Sequence, residues 1–200
     1  MTAFRVQFGI GLEWSPWRVP VENFKWTKET ADHLREKIVK VLPTKKSGIT
    51  QLRVLVIGPK GHGKSSLINS FASISEEAKL TACNAAEKES NVTTIYRSYE
   101  FLGDMAQFRV CDISGLPKKK DEEMRPFLKD IELLIKGKIK DPYEFTEETI
   151  SEENEHFVAD PSLSEMIHCA IFVFDCVEVY EIHQYYKDSV MTLLDAINKQ

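Results

Sequence analysis

The chain has 200 residues, of which 42% are hydrophobic and 28% are charged. This length and composition allow a buried core, which excludes a disordered tail, and favour one domain with room for only a small second one. Lysine and arginine total 26 against 31 acidic residues, so the net charge of −5 argues against a chain-wide surface for nucleic acid.

The first region of the chain, residues 1–48, is predicted to form an aromatic-rich arm followed by a helix. Residues 1–26 hold all three tryptophans and show neither a helical nor a strand period. The arm is either a packed extension or a surface that binds a partner. Thr27 can cap a helix whose apolar residues share one face and which Pro43 ends.

The second region, residues 49–200, is predicted to alternate short apolar strands with helices. Residues 52–57 form an apolar run of the type buried in a parallel sheet, and helical character resumes at Ser65 after a glycine-rich turn. Residues 95–101 alternate apolar and polar side chains, and with residues 108–112 they predict an antiparallel hairpin.

The last part of this region is predicted to add two helices and one strand. Residues 121–136 place Ile131, Leu134 and Ile135 on one helical face. Residues 138–166 are acidic and irregular, so we expect a long surface insertion. A second buried strand over residues 170–175 and an amphipathic helix follow.

The four cysteines, at positions 83, 111, 169 and 176, include no Cys-x-x-Cys pair. His168 adjoins Cys169, but neighbouring residues on a strand point to opposite faces and make a poor chelate. We therefore expect buried free thiols in a reducing compartment. No apolar run has the length of a membrane span, and the first ten residues lack the apolar stretch of a secretion signal. The expected location is cytoplasmic.

Residues 58–65, Gly-Pro-Lys-Gly-His-Gly-Lys-Ser, match the phosphate-binding pattern G-x-x-x-x-G-K-[ST]. The match lies between a predicted strand and a predicted helix, which is the context that this motif requires. A phosphate chain needs several converging N–H donors, so Gly61 and Gly63 would clear its approach. Gly58 would permit the tight turn out of the strand.

The remaining residues of this loop have expected roles. Lys64 would reach the β and γ phosphates, Ser65 would offer its hydroxyl to Mg²⁺, and Ser66 would lie near the α-phosphate. His62 would contribute mainly its backbone N–H. The helix that follows would aim its positive end at the anion.

Residues 112–115, Asp-Ile-Ser-Gly, match the D-x-x-G pattern of nucleotide switches at the end of a predicted strand. Asp112 would hold Mg²⁺ directly or through water, and the Gly115 amide would contact the γ-phosphate. Thr93 or, by a narrow preference, Thr94 would close over the metal. Both threonines are open to a second interpretation, as ordinary residues that begin a strand.

Two features that are typical of switch GTPases are missing. Leu116 stands where many GTPases carry a water-orienting glutamine, so we expect slow hydrolysis unless a partner supplies the group. No Asn-Lys-x-Asp tetrad for guanine occurs, and Asn198-Lys199 ends a predicted helix instead of a strand. We expect the sheet to lack its later strands, which leaves residues 170–175 at a hydrophobic edge.

With these motifs the sequence resembles the interferon-induced protein 44 and 44-like family of GTPase-like proteins. Besides the two phosphate motifs, the most specific segments are Asp160-Pro161-Ser162-Leu163, Ile167-His168-Cys169 and Phe172-Val173-Phe174-Asp175. The resemblance covers residues 14–180. It implies a P-loop fold, guanine nucleotide binding, a cytoplasmic location and a role in the interferon-driven antiviral response.

The expected fold is therefore α/β, with a mostly parallel sheet flanked by helices and incomplete at its C-terminal side. The leading hypothesis is a protein that binds GTP or GDP with Mg²⁺ and acts as a switch through a protein partner or self-association. Three alternatives stay open: a GTPase whose catalytic group comes from outside, an ATP-using kinase or ATPase, and an interaction fragment that binds no nucleotide.

Overall fold

The computed structural model describes residues 27–43, 47–76, 94–113, 115–116, 121–175, 191 and 193–195. The predictions for the aromatic arm and for Thr93 lie outside these residues. The main elements follow in the order α1 (Lys28–Val39), β1 (Leu52–Ile57), α2 (Lys64–Glu76), β2 (Thr94–Glu100), β3 (Phe108–Ile113), α3 (Asp121–Ile135), β4 (Tyr143–Phe145) and β5 (Cys169–Phe172).

The described strands form one sheet in the order β4-β2-β3-β1-β5. β1 lies in the middle of the parallel part, because it pairs in parallel with both β3 and β5. β2 is antiparallel to β3, as the predicted hairpin requires, and also to β4. The predicted α/β fold with a mostly parallel sheet is confirmed, with four of these five strands running in one direction and β2 running in the other.

Side chains of β1 alternate between two hydrophobic cores on the two faces of the sheet. Leu55 and Ile57 pack in the core that contains α3, whereas Val56 packs in the core that contains α2. Burial on both faces explains why the strand reads as a continuous apolar run. The predicted inner face of α3 is confirmed, since Ile131, Leu134 and Ile135 are all buried there.

Helix α1 lies beside the far end of α2 and the β2–β3 connection. Thr27 caps the helix as predicted, and the helix ends before Pro43. The Arg35 guanidinium donates a hydrogen bond to the Ile74 carbonyl at 2.9 Å and pairs with the Asp104 carboxylate at 3.2 Å. Within the described ranges, no helix combines the length and apolarity needed to cross a bilayer.

The acidic segment 138–166 belongs to the fold, so the prediction of a surface insertion is wrong. β4 lies in this segment and extends the sheet by pairing with β2. Its outer residues, Tyr143 and Phe145, are buried against α3. The reason is local: these two side chains at alternate positions bury one face of a short strand, although the segment as a whole is acidic.

A buried carboxylate joins this segment to α3. Asp130 is 0% exposed and accepts hydrogen bonds from the Tyr143 hydroxyl at 2.8 Å and from the Ile150 backbone N–H at 2.9 Å. Both carboxylate oxygens therefore have a donor, as a buried acid requires.

The specific segments between residues 160 and 169 have a structural role in leading the chain into β5. Ser162 and Glu165 form a reciprocal capping box. The His168 ring accepts the Arg53 N–H at Nδ1 and contacts the Leu163 carbonyl through Nε2, at 2.9 and 3.0 Å. His168 thereby fastens this segment to β1 and is not placed as a metal ligand with Cys169.

The two cysteines among the described residues differ in environment. Cys111 is buried, and burial raises the pKa of its thiol to about 11, so it stays protonated at neutral pH. Cys169 is exposed at the start of β5. The expectation of buried free thiols is confirmed for Cys111 and wrong for Cys169, because the latter begins a strand at the edge of the described sheet.

Replacing Asp130 with alanine should lower the free energy of unfolding by about 2–4 kcal/mol, because a buried phenol and a buried N–H both lose their acceptor. Urea unfolding followed by circular dichroism measures the change. Tyr143→Phe removes only one donor and should cost about 1 kcal/mol. Wild-type stability of D130A would contradict the structural role of this carboxylate.

Candidate phosphate-binding site

The predicted phosphate loop connects β1 to α2 at the carboxyl ends of the parallel strands. Gly58 follows the last residue of β1, and Lys64 is the first residue of α2. The unpaired N–H groups and the positive end of α2 therefore lie at this edge of the sheet. Ligands of open α/β sheets bind at such an edge.

Three glycines of the loop are required for two different reasons. Gly61 and Gly63 have φ angles of 88° and 92°, in the left-handed region that favours glycine. A Cβ on either residue would meet no atom of the chain within 4 Å, so the backbone conformation selects glycine there. Gly58 is different, because a Cβ on it would overlap the carbonyl oxygen of Val173 beyond β5.

Lys64 carries a positive charge into the interior of this loop. The residue is only 5% exposed, and its ammonium donates a hydrogen bond to the Pro59 carbonyl at 2.9 Å. Burial lowers the pKa of Lys64, and attraction to the Asp112 carboxylate opposes that change. The Lys64 ammonium is thus partly desolvated even without a ligand.

Asp112 lies at the end of β3, opposite Val56 of β1. Asp112 and Val110 lie on the same face of the sheet, and Val110 packs in the core that contains α2. Asp112 therefore points to the face of the sheet on which α2 and its first residue, Lys64, lie. Burial raises the pKa of Asp112 from 3.8 to about 6, while the Lys64 charge lowers it. The Lys64 and Asp112 charges therefore attract each other at the N-terminal end of α2.

One oxygen of the Asp112 carboxylate has no hydrogen-bond partner. Its Oδ1 is the one buried side-chain nitrogen or oxygen without a hydrogen-bond partner in the part of the chain that the structure describes. Among those residues, no group of three or more His, Cys, Asp or Glu side chains could hold a metal. A single carboxylate with an unpartnered oxygen suits Mg²⁺, which takes one or two protein carboxylates together with substrate phosphates and water.

The D-x-x-G segment is joined to the phosphate loop by backbone contacts. The Leu116 N–H donates to the Gly58 carbonyl at 3.0 Å, and Leu116 forms a parallel bridge with Pro59. Gly115 has a φ of 146°, and a Cβ on it would lie 2.9 Å from the Lys60 nitrogen. Conformation and crowding together demand glycine at this position. The two motifs that the sequence singled out are therefore in direct contact.

The other predicted ligands lie at the same edge of the sheet. Ser65 and Ser66 belong to the first turn of α2, where Ser65 is half-buried and Ser66 is exposed. Thr94 begins β2 at this edge, because β2 runs antiparallel to β3. Ser114 and Thr93 lie outside the described residues.

The side chain of His62 has a role that sequence reasoning missed. The residue is 9% exposed, and its ring Nδ1 accepts a hydrogen bond from the Asp175 backbone N–H at 2.9 Å. Its own backbone N–H donates to the Pro59 carbonyl at 3.4 Å. The motif accepts any residue at this position, so the pattern gave no signal for a side-chain contact with the chain beyond β5.

A known protein family matches most of the chain. Residues 53–197 match the family described as 50S ribosome-binding GTPase. This range includes the phosphate loop, the D-x-x-G segment and the five described strands except Leu52, the first residue of β1. No solved structure matches the chain significantly.

Curated relatives carry the names that the resemblance suggested. Human interferon-induced protein 44 is 29% identical over 175 residues, which are 84% of this chain and 38% of the relative. The mouse protein of that name is 31% identical over 140 residues, 68% of this chain and 32% of the relative. Human interferon-induced protein 44-like is 31% identical over 132 residues, 64% of this chain and 29% of the relative. The predicted resemblance is confirmed, and the chain spans between 29% and 38% of the length of these relatives.

Replacing Asp112 with asparagine should stabilise the ligand-free protein at pH 7.5 by about 1–3 kcal/mol. The folded-state pKa of Asp112 is raised, so the folded protein holds this proton more tightly than the unfolded chain does. Wild-type stability should therefore fall as the pH rises from about 4 to 6 and then level off, and the variant should lack this contribution.

Urea unfolding across that pH range measures the effect, with Asp160→Asn as an exposed control that should change little. The same D112N variant should lose Mg²⁺-dependent nucleotide binding, because an amide is a weaker ligand than a carboxylate. A variant that is less stable than the wild type and keeps its Mg²⁺ dependence would contradict the account of Asp112.

Proposed function

Because the chain belongs to the GTPase family described as 50S ribosome-binding GTPase, we propose that it binds GTP and GDP with Mg²⁺ at residues 58–66. One observation carries the proposal. The buried ammonium of Lys64 interacts with the half-buried carboxylate of Asp112, whose Oδ1 atom is buried and has no hydrogen-bond donor. Buried charges are normally paired and fully hydrogen-bonded, so this arrangement favours a ligand that brings phosphate and a divalent cation.

Each residue of the loop would have a defined task toward the nucleotide. The Lys64 ammonium and the His62 N–H would exchange their hydrogen bonds to the Pro59 carbonyl for phosphate oxygens, and the other N–H groups of residues 61–66 would also bind the phosphate chain. Asp112 and the Ser65 hydroxyl would hold Mg²⁺, with Thr94 as a further ligand, and the ion would offset the charge of the phosphates.

The proposed output is association with a protein partner or with a second copy, controlled by the nucleotide. Support comes from the contacts of the D-x-x-G segment, because Gly115 lies against Lys60 and the Leu116 N–H donates a hydrogen bond to the Gly58 carbonyl. A γ-phosphate bound at the Gly115 amide would contact the same backbone segment that joins the D-x-x-G residues to the phosphate loop. A GTP complex and a GDP complex would then differ at this point.

The cellular setting is proposed from the relatives. Their names describe proteins induced by interferon. We extend that setting, with a role in antiviral defence and a cytoplasmic location, to this chain.

Binding is favoured over rapid turnover by the position of Leu116. This residue is 2% exposed and packs in the core that contains α3, together with Ile57 and Phe127. The side chain after D-x-x-G therefore points into the protein core, and under this proposal it would not contact the phosphates. Hydrolysis would need a water-orienting group from another segment or from a partner.

Replacing Leu116 with glutamine should not accelerate GTP hydrolysis, because the new amide would be buried in the core. It should lower the free energy of unfolding by about 2–4 kcal/mol. Single-turnover hydrolysis and urea unfolding measure the two effects, and Leu116→Met is the control of similar volume. Faster hydrolysis in L116Q would show that this position faces the nucleotide and would contradict the proposal.

Lys64→Met should abolish binding of a fluorescent GTP analogue, because it removes the ammonium and keeps the length of the aliphatic side chain. Lys60→Met is the matched control, since Lys60 lies in the same loop but is exposed. We expect the control to bind within about threefold of the wild type, as an exposed charge contributes little.

Competition by unlabelled nucleotides in the same assay tests the choice of base. GTP and GDP should displace the analogue at lower concentrations than ATP. Binding that survives in K64M would contradict the phosphate site, and preferential displacement by ATP would contradict guanine recognition and favour the kinase or ATPase alternative.

A further inference from the structure

The phosphate loop has few side chains that could fix its conformation. Residues 58–63 include three glycines, of which Gly61 and Gly63 adopt left-handed φ angles. Glycine gains the most backbone freedom when it is not ordered, so such a loop needs external contacts to hold one shape. Lys60 is exposed, whereas His62 is the buried side chain between the two left-handed glycines.

The His62 ring connects the loop to the continuation of β5. The Val173 N–H donates to the Ile57 carbonyl at 2.8 Å, so the chain after β5 still runs beside β1. Two residues further on, the Asp175 N–H donates to His62 Nδ1 at 2.9 Å. A backbone N–H can only donate, so Nδ1 is the unprotonated nitrogen of a ring that carries its proton on Nε2.

We infer that His62 is a positioning residue for the nucleotide, because its ring nitrogen fastens the centre of the phosphate loop to the backbone amide of Asp175. The inference rests on the proposed nucleotide site. With the ring bonded, the flanking Gly61 and Gly63 are held in the conformation that directs loop N–H groups toward a phosphate. Without it, the loop would have to become ordered during binding, which weakens affinity.

Three substitutions of His62 separate this role from simple packing. Asparagine places an amide oxygen the same number of bonds from the backbone as Nδ1 and retains an acceptor. Glutamine carries its amide one bond further out, and phenylalanine keeps a ring without any acceptor. A role in packing alone predicts that phenylalanine is the mildest change, whereas the inference predicts that asparagine is.

The test measures the rate at which a fluorescent GTP analogue dissociates in the presence of Mg²⁺. His62→Phe and His62→Gln should release it about three- to tenfold faster than the wild type, the factor expected for one hydrogen bond, and His62→Asn should differ by less than about twofold. His33 is exposed on α1, so His33→Asn and His33→Gln are matched controls that should release the analogue at the wild-type rate.

The outcomes distinguish the two proposals. Wild-type release rates in His62→Phe, or equal defects in His62→Asn and His62→Gln, would overturn the role of His62 and leave the nucleotide site intact. Failure of the wild-type protein to bind any nucleotide would overturn the proposed function, and the inference with it.

A measurement on the wild-type chain covers the case in which the variants do not fold. Nitrogen-15 spectra of the His62 ring should show an unprotonated Nδ1 and a proton on Nε2, and the Asp175 amide should exchange slowly with solvent. A proton on Nδ1, or rapid exchange at Asp175, would overturn the inference.

Discussion

The attraction between the buried Lys64 ammonium and the half-buried Asp112 carboxylate is the interaction around which the rest of the site is arranged. Burial disfavours both charged forms, while their mutual attraction offsets part of the cost. One oxygen of the Asp112 carboxylate, Oδ1, still has no hydrogen-bond donor. A fold that keeps such a pair without completing its hydrogen bonds is suited to a ligand that carries both negative phosphate and a metal cation.

Backbone contacts between neighbouring strands hold this pair in place. β1 positions the phosphate loop, and its pairing with β3 sets Asp112 beside the start of α2. On one side of β1 the Leu116 N–H bonds to Gly58, and on the other side Gly58 lies against the Val173 carbonyl. The loop is thus held from both neighbouring strands, and the His62 ring adds a third contact. The site is consequently sensitive to substitutions that touch no ligand.

Much of this arrangement could be predicted from the sequence, because the relevant signals are local. The continuous apolar run of β1, the spacing of the loop glycines and the inner face of α3 each arise from a few neighbouring residues. Contacts between distant segments left no such signal. The acidity of residues 138–166 hid the buried side chains of β4, and the motif allowed any residue at His62. Nor does D-x-x-G followed by leucine reveal that Leu116 turns into the core.

The most direct test of the central claim is a residue-resolved NMR titration of the wild-type chain with Mg²⁺ and a non-hydrolysable GTP analogue. We expect the amide signals of residues 61–66 and of Gly115 to shift together and to saturate at one nucleotide per chain. Binding should weaken when Mg²⁺ is removed by a chelator. Saturable shifts that are confined to other segments, or no shifts at millimolar nucleotide, would contradict the claim that this loop and Asp112 form a nucleotide site.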